Sequence, residues 1–98
     1  MTPVVLSADG DGQVYLVPDS VAENLTAYCM EFCSEWLWTS PDAEQYRRDG
    51  YVCYNEADFI AYLNKWICPE EPSTFVETLR CHDVDRLLYY QNCPHFHF

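Results

Sequence analysis

Basic residues are scarce in this chain. Five Lys and Arg stand against sixteen Asp and Glu in 98 residues, for a formal net charge of −11. Phosphate contact needs clustered cations, and Arg47-Arg48 is the only basic pair, so direct nucleic-acid binding is disfavoured. No apolar run approaches the ~18 residues that span a bilayer, and so acidic a surface repels anionic lipid. Glycine is rare as well, with three residues. The chain has no Gly-rich phosphate loop, no Gly-x-Ser-x-Gly elbow and no His-Glu-x-x-His helix. Met1-Thr2-Pro3-Val4-Val5-Leu6 lacks the basic and long apolar regions of a secretory signal. The expectation is a cytoplasmic protein whose six cysteines are reduced thiols that pack as small apolar groups.

What is present describes one domain over residues 1–98. Hydrophobic residues make up 49% and charged residues 21% of the chain, a globular balance. A chain of this length buries roughly 60–65% of its unfolded surface and needs no staples. Val4-Val5-Leu6-Ser7-Ala8 and Gln13-Val14-Tyr15-Leu16-Val17 read as the two strands of a hairpin, closed by Asp9-Gly10-Asp11-Gly12, whose residues tolerate positive φ. Alternation sets Val14 and Leu16 on one face, Tyr15 and Val17 on the other. The Asp-Gly-Asp-Gly run also looks like part of a calcium loop, but it lacks the downstream Glu and the ligand count.

Ser20 with Glu23 has capping-box spacing, with Asp19 as the alternative cap, and opens a long helix to about Trp38. At 100° per residue, Val21, Ala22, Leu25, Tyr28, Cys29, Phe32, Cys33 and Trp36 share an apolar arc. Glu23, Asn24, Glu31, Ser34 and Glu35 lie opposite, and Trp38 falls among them. Ser40-Pro41 starts a second helix over 41–48 that stops near Gly50. Tyr51-Val52-Cys53-Tyr54 reads as a strand. Asn55 caps a helix over 56–67, with Phe59, Ile60, Leu63, Trp66 and Ile67 inward and Tyr62 at the boundary. Ser73 caps a short helix over 73–79. Leu87-Leu88-Tyr89-Tyr90 fits a helical turn or a strand, and His95-Phe96-His97-Phe98 alternates as a strand does.

The fold class is α+β: a small antiparallel sheet, made of the N-terminal hairpin plus one or two short strands, packed by a long amphipathic helix and two or three shorter ones. Leu25, Phe32, Trp36, Ile60, Leu63 and Ile67 form the expected core.

Several segments resemble a family of small bacterial proteins of unassigned function. They are Val17-Pro18-Asp19, Tyr28-Cys29, Phe32-Cys33 with Trp36, and Ser40-Pro41 with Tyr46. Cys53-Tyr54-Asn55-Glu56, Asp58-Phe59-Ile60, Tyr62-Leu63-Asn64 and Cys93-Pro94 continue the likeness over nearly the whole chain. The resemblance implies an intracellular bacterial or phage-related origin. It carries over no catalytic or binding residue.

Two constellations carry chemistry. Cys29 and Cys33 share a helix face, at metal-ligand spacing or as packed thiols, and the apolar arc favours packing. Cys81, His82, Cys93, His95 and His97 form a zinc-ligand set without the usual knuckles; phenylalanines docked on the core with histidines in water is the simpler reading. No nucleophile–base pair is legible, so neither an enzyme nor a cofactor is expected.

Aromatics are 16% of the chain, and each buries ~150–250 Å², more than a core this small absorbs. Trp38, Tyr62, Tyr89 and Tyr90 are the candidate exposed anchors, with Glu31 and Glu35 as acidic neighbours. The expected function is an acidic interaction protein for a basic protein surface, one form being an inhibitor seated in a nucleic-acid-binding groove. A homodimer through exposed aromatics is the runner-up, and a zinc module the third.

Overall fold

The computed structural model describes residues 1–98. Its class is α+β, with a four-stranded sheet, a separate two-stranded sheet and helices. The hairpin forms as its β-branched residues dictate. Strands β1 (Thr2–Ser7) and β2 (Gly12–Val17) pair antiparallel, with Val4 opposite Tyr15 and Val5 opposite Val14. Asp9, at φ 65°, supplies the left-handed turn residue, a conformation Asp tolerates better than most residues. Gly12 is needed for closeness: a Cβ there would meet Val5 Cγ1 at 2.9 Å.

The sheet is mixed, which corrects the expected antiparallel one. Its order is β5-β2-β1-β6, where β5 is Thr74–Leu79 and β6 is His95–His97. Segment 73–79, expected to be a helix, is the edge strand β5, antiparallel to β2. Thr74, Val76 and Thr78 are β-branched and favour the extended form. From β5 the chain crosses one face of the sheet through helix α5 (Val84–Tyr89) and enters β6 parallel to β1. A helical crossover is the connection parallel strands require.

The long helix forms in pieces. Helix α1 (Asp19–Glu23) starts at Pro18, whose carbonyl accepts the first turn's N–H groups; neither Ser20 nor Asp19 caps it by side chain. Asp19 instead accepts the Thr2 hydroxyl at 2.6 Å. The backbone breaks at Asn24, resumes as α2 (Leu25–Met30), widens to a π segment over Glu31–Trp36 and closes as α3 (Leu37–Thr39). The wider turn brings Leu37 into the core beside Phe32.

Ser40 caps as its sequence suggests, accepting the Asp42 N–H at 3.1 Å, but the helix it opens is a 3₁₀ helix over Pro41–Tyr46. The expected helix through 48 gives way to extended backbone at Arg47. Strand β3 (Arg47–Arg48) pairs with β4 (Tyr51–Val52) across a turn where Gly50 has φ +79°. The strand expected over 51–54 is therefore shorter and does not join the main sheet. Asn55 caps α4 (Glu56–Tyr62) in a full capping box with Asp58, and a second π segment follows over Leu63–Ile67.

Fifteen buried residues join the helices to one sheet face through Val4, Leu6, Tyr15 and Val17. Leu25, Phe32, Ile60 and Leu63 are among them, as expected; Trp36 and Ile67 stay partly exposed at the margin. Phe32 is the hub, with Trp36, Tyr54, Phe59, Tyr62 and Phe98 rings 5.1–6.1 Å from its own. On the other face Val5, Val14, Leu79 and Tyr90 form a smaller cluster. No helix is long and apolar enough to cross a membrane.

Candidate functional site

The outward face of the α2–α3 stretch carries two stripes at four-residue spacing. Thr26, Met30, Ser34 and Trp38 make one; Ala27, Glu31, Glu35 and Thr39 make the other. Their partners across the helix, Leu25, Cys29, Phe32 and Leu37, are buried, so this face points away from the sheet. Met30 is 46% and Trp38 47% exposed. The Trp38 indole N–H donates to the Cys33 carbonyl at 3.0 Å, which fixes the ring. Thr39 ties to the Glu35 carbonyl at 2.8 Å. Glu31 and Glu35 make no ion pair; of the sixteen acids only Asp11, Asp19 and Glu77 meet a cation. The face combines an immobilised aromatic, a flexible thioether and two free carboxylates. Met30 escaped the sequence reading, although its spacing of eight from Trp38 marks the same stripe.

The other aromatic candidates divide. Tyr62 is buried at 4% exposure, covered by Trp36 and Phe32 with ring centroids 4.9 and 5.1 Å away. Burial first, and the Glu31 charge second, hold its phenol above the ordinary value. Tyr90 is buried on the opposite sheet face, also at 4%. Neither is the surface anchor their positions suggested. Tyr89 is exposed at 70%, but α5 lies across the sheet from Trp38 and the two do not share a surface.

Around α5 a polar network replaces burial. The Arg86 guanidinium donates through Nε to Glu77 at 3.0 Å, and through its second nitrogen to Glu77 again and to the Tyr90 hydroxyl at 3.2 Å. The Tyr90 hydroxyl donates to Glu77 at 2.7 Å. These donors, Arg86 foremost, pull the Glu77 carboxyl down to about 2. No residue of α5 is itself buried, and Val84, Leu87, Leu88 and Tyr89 face outward. Phe75 and Val76 on β5 are exposed too; sequence reasoning missed both because it assigned them to a helix.

The zinc constellation does not assemble. No group of three or more His, Cys, Asp or Glu side chains is arranged to hold a metal. His97 bonds Ser7 Oγ at 2.7 Å and His95 bonds the Cys93 carbonyl at 2.6 Å, while Phe96 and Phe98 dock on the core. Cys81 and His82 sit exposed before α5, and Cys93 packs against the small cluster. Cys29 is fully buried, and burial pushes its thiol well above the ordinary range, a poor state for a ligand or nucleophile.

Two cavities indent the surface. One of about 360 Å³ lies between Ala8-Asp9, Val52-Cys53-Tyr54 and Phe98; the other, about 440 Å³, lies at the helix break between Ala22–Ala27 and Pro94-His95. Neither is lined by a cysteine and a histidine together, and His82 makes no hydrogen bond with a cysteine. Compared with known proteins, the chain matches no family model, no curated protein and no solved structure.

Proposed function

We propose that this is a non-enzymatic, acidic interaction protein that binds a basic protein surface through the outward face of α2–α3. One observation carries the reading: Trp38, held by its own hydrogen bond and half exposed, shares an exposed helix face with Met30 and with Glu31 and Glu35, which make no ion pair. Rigid Trp anchors in a charged rim are what interface hot spots use, and the net charge of −11 steers such a surface toward cations. The inhibitor form of the reading has this face seated in a groove that otherwise takes nucleic acid. A cytoplasmic setting with reduced thiols fits it.

The test is capture of partners from host lysate at low and high salt, with the wild-type chain and with Trp38→Ala and Glu31→Gln/Glu35→Gln. A specific partner should be retained at low salt, released as screening shortens to about 8 Å at physiological ionic strength, and lost with each variant. A partner held equally by all three chains defeats the assignment of this face.

The outward apolar residues of α5 favour a second reading, a homodimer. Val84, Leu87, Leu88 and Tyr89 are 38–70% exposed on one short helix. That association would be indifferent to salt, so sedimentation across ionic strengths separates the two readings.

A further inference from the structure

The smaller cavity is a different kind of place from the helix face. Three segments far apart in sequence meet there: the β1–β2 turn, the extended stretch after β4, and the residue following β6. The Phe98 backbone N–H donates to the Ser7 carbonyl at 2.8 Å, which ties that residue to the end of β1 beside the turn. Tyr54 and Phe98 stand edge to face, with centroids 5.7 Å apart and planes at 88°. Each is only partly buried, and both line the cavity. Asp9 completes the wall. Its backbone is in the left-handed region, its side chain is exposed, and its carboxylate makes no hydrogen bond or ion pair within the protein. No Lys or Arg lines the space.

Chemistry narrows what fits. An anion meets Asp9 and a protein of charge −11. A calcium or magnesium ion needs several oxygen ligands, and one carboxylate is the whole charged supply. A neutral apolar ligand draws nothing from the exposed Asp9 carboxylate at the rim. A cation sheathed in methyl groups suits this lining best: aromatic rings attract cations, the methyls pack on Val52 and the rings, and the Asp9 carboxylate supplies the counter-charge. The volume, about 360 Å³, falls within the range of small-ligand sites, roughly 300–1,000 Å³.

We propose that this cavity binds a methylated alkylammonium group. The inference stands apart from the helix face and survives or fails without it. Two sources offer that chemistry, a free quaternary amine and a trimethylated lysine side chain.

The experiment follows backbone amide shifts of the full chain during titration. Choline chloride, N-acetyl-trimethyllysine methylamide and 3,3-dimethyl-1-butanol are the probes, the last being the neutral carbon isostere of choline. Saturable shifts confined to residues 8–9, 52–54 and 98 are expected with at least one cation, and much weaker ones with the alcohol. Saturation by choline alone assigns a free amine; saturation by the lysine derivative alone assigns a side chain. Asp9→Asn keeps the turn, since Asn also tolerates the left-handed backbone, and should weaken binding roughly fivefold. Phe98→Leu keeps apolar bulk but removes a π face and should weaken it roughly three- to tenfold. Equal response to the alcohol and to choline, no saturable shift with either cation, or an Asp9→Asn chain that binds as wild type overturns the proposal.

Discussion

The two faces of the four-stranded sheet are built on different principles. One is covered by α1–α4 and the π segments, and its fifteen-residue core contains no charged side chain. The other holds four buried residues, Val5, Val14, Leu79 and Tyr90. Over these lies α5, which buries nothing of its own and is fastened by Arg86, Glu77 and Tyr90. The first face is held by apolar area, about 25 cal/mol per Å². The second is held by a charge-assisted clamp, whose strength depends on protonation and salt. Stability should therefore be unequal across the sheet, and the thinner side should respond to solution conditions that leave the thicker side unmoved.

The largest difference between the faces is expected at the hub. Phe32→Ala removes a ring that touches five others and should cost about 4 kcal/mol in urea-induced unfolding. The equivalent cut on the thin face, Leu79→Ala, should cost about 2–3 kcal/mol, because a four-residue cluster has less to lose and more room to collapse. Equal losses would mean that both faces belong to one cooperative core of the same strength.

A smaller effect isolates the clamp. Glu77→Gln should leave the unfolding midpoint close to wild type while amide exchange across Val84–Tyr89 accelerates. The same loosening should come with acid. The Glu77 carboxyl titrates at about 2 in the folded protein, below its ordinary 4.5. A depressed carboxyl favours the fold above its ordinary value, and that contribution fades as pH falls from about 4.5 to about 2. Amide exchange in α5, corrected for intrinsic pH dependence, should rise through that window in wild type and stay flat in Glu77→Gln. A flat wild-type profile would remove Glu77 as the fastener.

The hairpin was legible because Val4, Val5, Val14 and Val17 prefer extended backbone and Asp9–Gly12 can turn. Ser40 and Asn55 were legible as caps because capping is settled within three residues. Strand β5 was not legible as a strand. Phe75, Val76 and Leu79 match a helical spacing, and what makes the segment a strand is β2, some sixty residues earlier. Leu37 was not legible in the core, because a 100° rotation holds for α turns and fails across a π segment. Glu31, Glu35 and Trp38 were legible as outward-facing and are exposed, although a π segment and not a run of α turns joins them. Tyr62, at an arc boundary, and Tyr90, in a segment that fits either a helical turn or a strand, were misplaced because tertiary neighbours decide them: Trp36 and Phe32 for one, Glu77 and Arg86 for the other.

β1 has one neighbour that arrives almost at once and one that arrives ninety residues later. Its pairing with β2 closes a loop of a few residues, an event of about 1–10 μs in isolated hairpins. Its pairing with β6 joins Val5 to His95 and Ser7 to His97. Chain entropy makes that closure only modestly less favourable at equilibrium, about 0.6 kcal/mol per doubling of the loop. Its consequence is kinetic. Until residues 95–97 dock, β1 has an unsatisfied edge, Phe96 and Phe98 are off the core, and the space between Asp9, Tyr54 and Phe98 does not exist. That recess thus depends on the most non-local strand pairing of the fold, the kind of contact that topology makes slow to form.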